Sequence, residues 1–449
     1  MRHPIDRRRF LRSATAALGF PAIIPGSALG LDGKTSPSNR TTLGLIGCGG
    51  RANDVVKNFL NDDRVQVVAV CDVERESSRY NKGLIKKAGT FGREPMRRLI
   101  DTTYQGKGCT THEDFRDLLA QSGIDAVQIA TPDHWHALHA TAAARAGKHI
   151  YCEKPLSLTI AEGRFMSDTV RKASVIWQTG SQQRSDVHFR MAAEFIRNGR
   201  LGQLKEIRVG LASDNRDNNG HAAQTTPVPV PEGLNYDLWL GPAPDAPFCP
   251  ARLHSNWRWF YDYSGGNITD FGAHHLDIVQ WALGKDDSGP VEFSDLTATW
   301  PIPGSLYTTP LTFAFTYRYA DGTPVLVADK MAFGSGIQFI GEHGSITTQR
   351  GGLKFDPIEL RRPLAKDDVH LYEIKDHFRN FIDAIQDGVQ PAAPIETAHR
   401  SITIAHLANI ALRLQRKQLK WDPATERILG DEEAQALTTR PMRAPWQLT

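Results

Sequence analysis

The sequence contains no apolar run of about eighteen residues or more, so no segment is able to cross a bilayer as a helix. Cysteine is scarce: the five, Cys48, Cys71, Cys109, Cys152 and Cys249, form no C-x-x-C. An odd, scattered set argues against a disulfide framework and reads as buried or incidental thiols. H-E-x-x-H is missing as well, and no metal is expected. The 38 glycines and 26 prolines follow no period, which removes collagen-like and solenoid architectures. Charge of one sign is lacking too. The formal net charge of +3 comes from residues 1–30, where Arg2, Arg7, Arg8, Arg9 and Arg12 face only Asp6; the remainder is near −1. A near-neutral body offers no field for nucleic acid, so a neutral small molecule is expected rather than a polyanion. What is present is an ordinary globular composition, 40% hydrophobic and 23% charged over 449 residues. That length exceeds one compact core, and two domains are expected.

Residues 1–30 read as a targeting segment. Arg7-Arg8-Arg9-Phe10-Leu11-Arg12 resembles the twin-arginine export signal. An apolar run over 14–24 follows, broken by Pro21, and Gly26, Ser27 and Ala28 suit cleavage. The plainer alternative is a disordered basic tail. Export by this route implies a periplasmic protein folded beforehand, with any cofactor already in place and tightly held. Residues 31–40 form a linker.

From residue 41 the pattern alternates β with α. An apolar strand over 42–46 runs into Gly47-Cys48-Gly49-Gly50-Arg51-Ala52, a G-x-G-x-x-A turn. Gly47 permits the tight turn, Gly49 lets backbone approach a pyrophosphate, and Ala52 allows close helix–strand packing. Gly50 and Arg51 open the helix whose amides attract phosphate. Such a turn is weak evidence alone; its context strengthens it. A second apolar strand over 65–72 ends in Asp72. A carboxylate there accepts ribose hydroxyls and favours NAD, while the nearby Arg75 leaves NADP open. The alternative for Asp72 is an N-cap for a run from Glu74. Residues 80–108 read as a helix-and-loop insertion carrying Arg93, Arg97 and Arg98. The rhythm resumes with a helix over 114–121, a strand over 124–130 and the loop Thr131-Pro132-Asp133-His134-Trp135-His136, where a switch point meets ligand. A helix over 137–146 and a strand over 149–152 lead to Glu153-Lys154-Pro155. Lys154 there is either a donor to a reacting hydroxyl or a surface lysine.

The order and spacing of these stretches resemble the Gfo/Idh/MocA family of sugar and cyclitol oxidoreductases. Glu153-Lys154-Pro155 stands in the place of the family's E-K-P motif. Gly265-Gly266-Asn267-Ile268-Thr269-Asp270-Phe271-Gly272-Ala273-His274 looks like its G-G-x-x-x-D-x-G-x-H stretch. The resemblance implies that Gly47, Gly49, Gly50, Arg51, Ala52, Asp72, Thr131, Pro132, His136 and Glu153 surround the dinucleotide. It also implies that Lys154 helps position cofactor and substrate. The spacing adds a chemical reading. If Asp270 begins a helix, His274 lies one turn on along the same face, so Asp270 orients the imidazole and His274 takes a hydroxyl proton. A capping Asp beside a core His is the alternative. His275 points away from that face and is expected to pack or bond elsewhere.

The family's second domain implies a large open sheet, and strands are expected over 205–211, 296–300, 311–319, 324–328 and 337–340. Eight aromatics crowd between Asn235 and Tyr263, against 8% aromatic overall. Tyr236 and Trp257, with Arg258, Asp262 and, outside that stretch, Arg184, would suit a sugar's C–H faces and hydroxyls; a loop packed by its own rings is the alternative. The expected architecture is α/β: an N-terminal Rossmann dinucleotide-binding domain over 41–181, then a C-terminal α+β domain with a large open, mostly antiparallel sheet over 182–390. A C-terminal helix and tail over 391–449 return to the nucleotide domain. By analogy the sheet's outer face makes a homodimer or tetramer. The expected activity is hydride transfer between a sugar, glycoside or cyclitol hydroxyl carbon and tightly bound NAD, or NADP. One alternative is an NAD-dependent glycosidase working by transient oxidation and elimination. The family's glycosidase branch carries Thr-His-x-x-Gly where this chain has Asp-Phe-Gly-Ala-His-His. The other alternative, a non-catalytic sugar-binding protein, predicts loss of Lys154, Asp270 or His274, and all three are present.

Overall fold

A computed structural model describes residues 35–79, 89–106, 108–211 and 225–449. The expected export signal and part of the 80–108 insertion lie outside them. The first sheet has six parallel strands: β1 (Thr41–Ile46), β2 (Val65–Cys71), β3 (Thr110–His112), β4 (Ala126–Ile129), β5 (His149–Cys152) and β6 (Trp177–Thr179). Their spatial order is β3-β2-β1-β4-β5-β6. Leu43 and Leu45 of β1 face one apolar cluster and Ile46 another, as expected when helices cover both faces of a parallel sheet. Those helices are α1 (Gly50–Leu60), α2 (Arg93–Thr103), α3 (Phe115–Ala120), α4 (Asp133–Arg145) and α5 (Ile160–Ala173). Strand order reverses between β2 and β4 on either side of β1, so the crevice at their carboxyl ends is where ligands enter such folds.

One boundary differs from the sequence reading. Residues 133–136 were expected in a loop, but α4 starts at Asp133, directly after Pro132 at its N-cap. Proline ends the extended segment with a φ of −60 and leaves the next residues free to wind. The T-P-D-H-W-H motif therefore supplies the first turn of a helix.

The second sheet has nine strands: β7 (Leu204–Leu211), β8 (Glu292–Thr299), β9 (Thr312–Arg318), β10 (Pro324–Asp329), β11 (Gly336–Gly341), β12 (Gly344–Gln349), β13 (Gly352–Asp356), β14 (Gln418–Asp422) and β15 (Arg427–Leu429). Their order is β13-β12-β11-β7-β10-β9-β8-β14-β15. Pairing is antiparallel except between β7 and β10. Helices α6 (Val187–Arg197) and α9 (Gly272–Leu283) pack on the sheet, with α7 (Tyr236–Leu240) and α8 (Gly266–Asp270) nearer the cleft.

The division at 390 does not match the packing. Helix α10 (His377–Asp387) belongs to the nucleotide unit: its Phe381 and Ile382 share a core with Phe59 and Tyr151. Conversely, β14 and β15, expected to lie with a returning tail, complete the second sheet. Between the units runs α11 (Ile395–Arg413), buried nearly all round and packed on α5 from one side and α9 from the other. The five cysteines are free, and all but the half-buried Cys109 are buried.

Candidate active site

A cleft of about 950 Å³ opens between the two units, above the carboxyl ends of the first sheet. Its floor is the glycine turn. Gly47 has a φ of +91, and a Cβ there would stand 2.7 Å from the Ala130 carbonyl oxygen, so a side chain is excluded twice over. Gly49, Gly50 and Arg51 line the cleft at the start of α1. Ala52 does not; it is fully buried against the strand, which is the packing role expected of it. Asp72 lines the cleft and is tied to the turn: its carboxylate accepts the Cys48 amide at 2.6 Å and the Glu74 amide at 2.8 Å. No helix starts at Glu74 among the described residues, so the N-cap alternative falls away. Burial pushes the Asp72 carboxyl up against the pull of those two amides and Arg93.

Glu153 and Thr131-Pro132 form the next wall. Arg51 donates to Glu153 Oε1 at 2.9 Å and Gln182 at 3.1 Å. Glu153 Oε2 is buried with no partner among the described residues, an open acceptor in a place where ligand donors arrive. Gly180 makes room for this carboxylate, since a Cβ there would sit 2.7 Å from Oε1.

At the reacting end, Lys154 Nζ donates to Asp270 Oδ1 at 2.7 Å and to the Asp270 carbonyl at 3.0 Å. Arg258 Nε approaches the same oxygen at 3.4 Å. Burial alone would raise the Asp270 carboxyl, but Lys154 and Arg258 outweigh it and hold it well below the usual carboxylate range. His274 lines the cleft beside them. Burial first, then the charges of Lys154 and Arg350, push its imidazole far down, so it stands neutral. The expected hydrogen bond from the His274 ring to the Asp270 carboxylate is not made. Asp270 closes α8 whereas His274 belongs to α9, and a lysine cation outcompetes a neutral imidazole for the carboxylate. The His274 Nδ1 is buried with no partner among the described residues. His275 bonds the Gly210 carbonyl at 3.2 Å, away from the chemistry, as its position on the helix requires.

Trp257 and Arg258 also line the cleft, the guanidinium stacking 4.4 Å above the indole. Four other expected residues do not line it. His136 is buried, with Nδ1 2.7 Å from the Pro155 carbonyl and Nε2 2.9 Å from that of Thr131; it fastens the Lys154 loop to the Thr131 loop rather than meeting a ligand. Arg184 is 4% exposed and paired to Asp277 and Asp286 at 2.7 Å each, a link between elements. Tyr236 is buried and stacks on Trp239, and Asp262 is exposed outside the cleft. Composition could place an aromatic cluster here but could not say which rings turn inward.

Several cleft residues were not anticipated. Trp135 and His139 stack 4.6 Å apart on α4, and Trp239 joins them. Arg350 and Phe271 arrive from the second unit. Asp133 also lines the cleft: Ser264 donates to its Oδ2 at 2.6 Å, while Oδ1 is buried and unpartnered among the described residues. Burial raises its carboxyl to about 7, beyond what Ser264 and Arg258 offset. Its position directly after Thr131-Pro132 was the available signal. A neutral imidazole, a fixed ammonium and a carboxyl that titrates near neutrality are suited to moving a proton on and off an oxygen.

Comparison with known proteins bears on the same residues. A family profile described as "Oxidoreductase family, NAD-binding Rossmann fold" matches residues 41–181, and one described as "Oxidoreductase family, C-terminal alpha/beta domain" matches 195–448, under the names GFO_IDH_MocA and GFO_IDH_MocA_C2. The myo-inositol 2-dehydrogenase of Thermotoga maritima is 25% identical over 244 residues, 54% of this chain and 55% of that protein. A glycosyl hydrolase family 109 protein of Stenotrophomonas maltophilia is 31% identical over 216 residues, 47% of this chain and 43% of that protein. The chain thus aligns with about half the length of these relatives. The WlbA dehydrogenase from Bordetella pertussis, solved with NADH and UDP-GlcNAcA, superposes with a TM-score of 0.59 at 19% identity, covering 85% of this chain and 99% of that one.

Proposed function

The chain belongs to the Gfo/Idh/MocA family of NAD-binding oxidoreductases, and from that premise we propose that it moves hydride between a sugar, glycoside or cyclitol hydroxyl carbon and a nicotinamide held in the cleft. The observation that carries this reading is Lys154 locked to Asp270 beside a neutral His274, in one cleft with the glycine turn. The residues fit a dinucleotide: the Gly47 turn tolerates no side chain, and the unpartnered Glu153 oxygen awaits a donor. When bound, that cofactor supplies the acceptor or donor of hydride at carbon. The protein's residues manage the oxygen. Lys154 donates to the substrate oxygen and stabilises it as its proton leaves. His274 takes that proton in oxidation and returns it in reduction. Asp270 positions Lys154, and the partly buried Trp257 offers an aromatic surface in the cleft to a pyranose or cyclitol ring.

The export signal resembled by residues 7–12 supports a periplasmic protein that leaves the cytoplasm folded, with its cofactor retained and recycled in place. A homodimer or tetramer is expected by analogy with the family; light scattering on purified protein gives the stoichiometry. A second reading, glycoside cleavage through transient oxidation, is favoured by the similarity to a glycosyl hydrolase family 109 protein. It calls on the same Lys154 and His274 and needs no net cofactor turnover.

Denaturing purified protein without added nucleotide and quantifying released NAD(H) and NADP(H) tests the reading. Near-stoichiometric dinucleotide is expected, and it directs the substrate search to redox-neutral cycles, including glycoside cleavage. An empty site that also fails to bind added NAD or NADP overturns the oxidoreductase reading. An empty site that binds either one overturns cofactor retention and argues against export.

A further inference from the structure

Four cationic side chains, Arg51, Lys154, Arg258 and Arg350, line the cleft. Three are committed to carboxylates. Arg51 pairs with Glu153 at 2.9 Å, and Lys154 and Arg258 share Asp270 at 2.7 and 3.4 Å. Arg350 has neither an ion pair nor a hydrogen bond with any described residue; its guanidinium lies 6.0 Å from the Phe271 ring. It is not carried on a wandering loop. Strands β12 and β13 pair in register up to Gln349 opposite Gly352, leaving Arg350 and Gly351 as a two-residue turn, with Gly351 at a φ of +72. A tight hairpin therefore presents one charged side chain from the second unit to the cleft that the glycine turn of the first also lines.

The electrostatics of this arrangement are unfavourable as it stands. Burial disfavours the Arg350 charge and Arg51 repels it, with Asp270 and Asp186 offsetting only part. Two guanidiniums that repel across a cleft, one without a carboxylate, form a site whose energy falls when an anion enters. The hairpin fixes the arginine's backbone, so the ordering cost on binding is confined to its side chain.

We propose that Arg350 is an anion clamp, a guanidinium delivered by the β12–β13 hairpin to take a phosphate or carboxylate group of the molecule bound in the cleft. The proposal rests on the reading of the cleft as a dinucleotide and sugar site. The shared chemistry has two sources: the diphosphate of the cofactor, or an acidic group on the sugar. The sequence offered no hint of it, since Arg350 lies in an unremarked Gln-Arg-Gly-Gly turn.

The test compares the full-length protein with its R350Q and R350K variants, after removal of any retained nucleotide. NADH affinity is read by fluorescence titration at low and high salt. Thermal stabilisation by inorganic pyrophosphate, D-glucuronate and D-glucose is read in parallel. If the anion is the diphosphate, R350Q weakens NADH about ten- to hundredfold, the size of one charge-assisted contact. Its stabilisation by pyrophosphate disappears, and R350K recovers part of both. If the anion belongs to the substrate, NADH affinity holds while stabilisation by glucuronate, but not glucose, is lost. Wild-type protein that ignores NADH yet responds to pyrophosphate through Arg350 overturns the cofactor reading and leaves the clamp. Identical responses of wild type and R350Q to NADH, pyrophosphate and glucuronate overturn the clamp and leave the cofactor reading intact.

Discussion

Burial disfavours the charged form of a side chain, and at the reacting end of the cleft it acts on several groups at once. Asp270 keeps its charge because Lys154 and Arg258 lie against it; His274 loses the contest and stays neutral. Replacing Lys154 or His274 by Ala is therefore expected to lower turnover by about 10²- to 10⁴-fold while NADH binding, read by fluorescence, changes little; near-normal turnover in either variant would remove that residue from the mechanism. Asp133 runs the other way. Its carboxyl, raised to about 7, binds a proton in the folded state at pH values where the unfolded chain, near 4, has released it. That contribution to stability is complete below about pH 4 and fades as pH rises through 7. The isosteric Asp133→Asn variant should flatten the fall in urea midpoint over this window. Parallel curves for the two proteins would show that Asp133 does not titrate there. Arg184 tests a correction. Arg184→Met strands the buried Asp277, whose carboxylate then keeps, among the described residues, only its bond from Ser401 Oγ at 2.7 Å. A loss of about 3–5 kcal/mol in denaturant unfolding is expected, with KM unchanged in the folded fraction; a raised KM at unchanged stability would restore it to the substrate site.

Elements far apart in sequence brace the cleft's aromatic wall. The C-terminal tail crosses α4 and α7: Trp446 meets Trp135 edge-on at 4.8 Å, Arg443 pairs with Asp237 at 2.6 Å, and Arg440 pairs with Glu162 at 2.7 Å. Beneath them Gly241 has a φ of +49, and a Cβ there would lie 2.1 Å from the Trp135 ring. Trp135 thus has its position set from both sides. Truncation after Thr439 is expected to lower the unfolding temperature by a few degrees, at about 0.5–1.5 kcal/mol for the lost aromatic pair alone. It should also raise KM more than it lowers kcat. A truncated protein with full stability and unaltered KM would show that the wall holds without the tail. The sequence left this tail without a role, because Arg440, Arg443 and Trp446 meet side chains more than 200 positions earlier in the chain.

At the scale of the whole molecule, α11 couples the two sheets. It is buried nearly throughout and touches helices of both units, so neither unit exposes its face without the other. A single cooperative transition is expected in calorimetry, shifted upward by about 2.7 kcal/mol at a hundredfold excess of NAD over its Kd. Two resolved transitions, with NAD moving one alone, would mean that the units fold independently.

Local chemistry was legible in the sequence wherever the chain states it contiguously. The glycine turn, Asp72 at the end of the second strand, the Glu153-Lys154-Pro155 loop and the 265–274 stretch lie close to where their spacing placed them. Buried parallel strands need continuous apolar runs and tight turns need glycine, so these features are written locally. What tertiary structure alone decided is partnership. Lys154 rather than His274 holds Asp270. Arg184 spends its charge on Asp277, α10 crosses to the nucleotide unit, and Arg350 arrives in the cleft from an edge hairpin. Each of these depends on which distant group wins a charge or fills a space, and that competition exists only once the chain is folded.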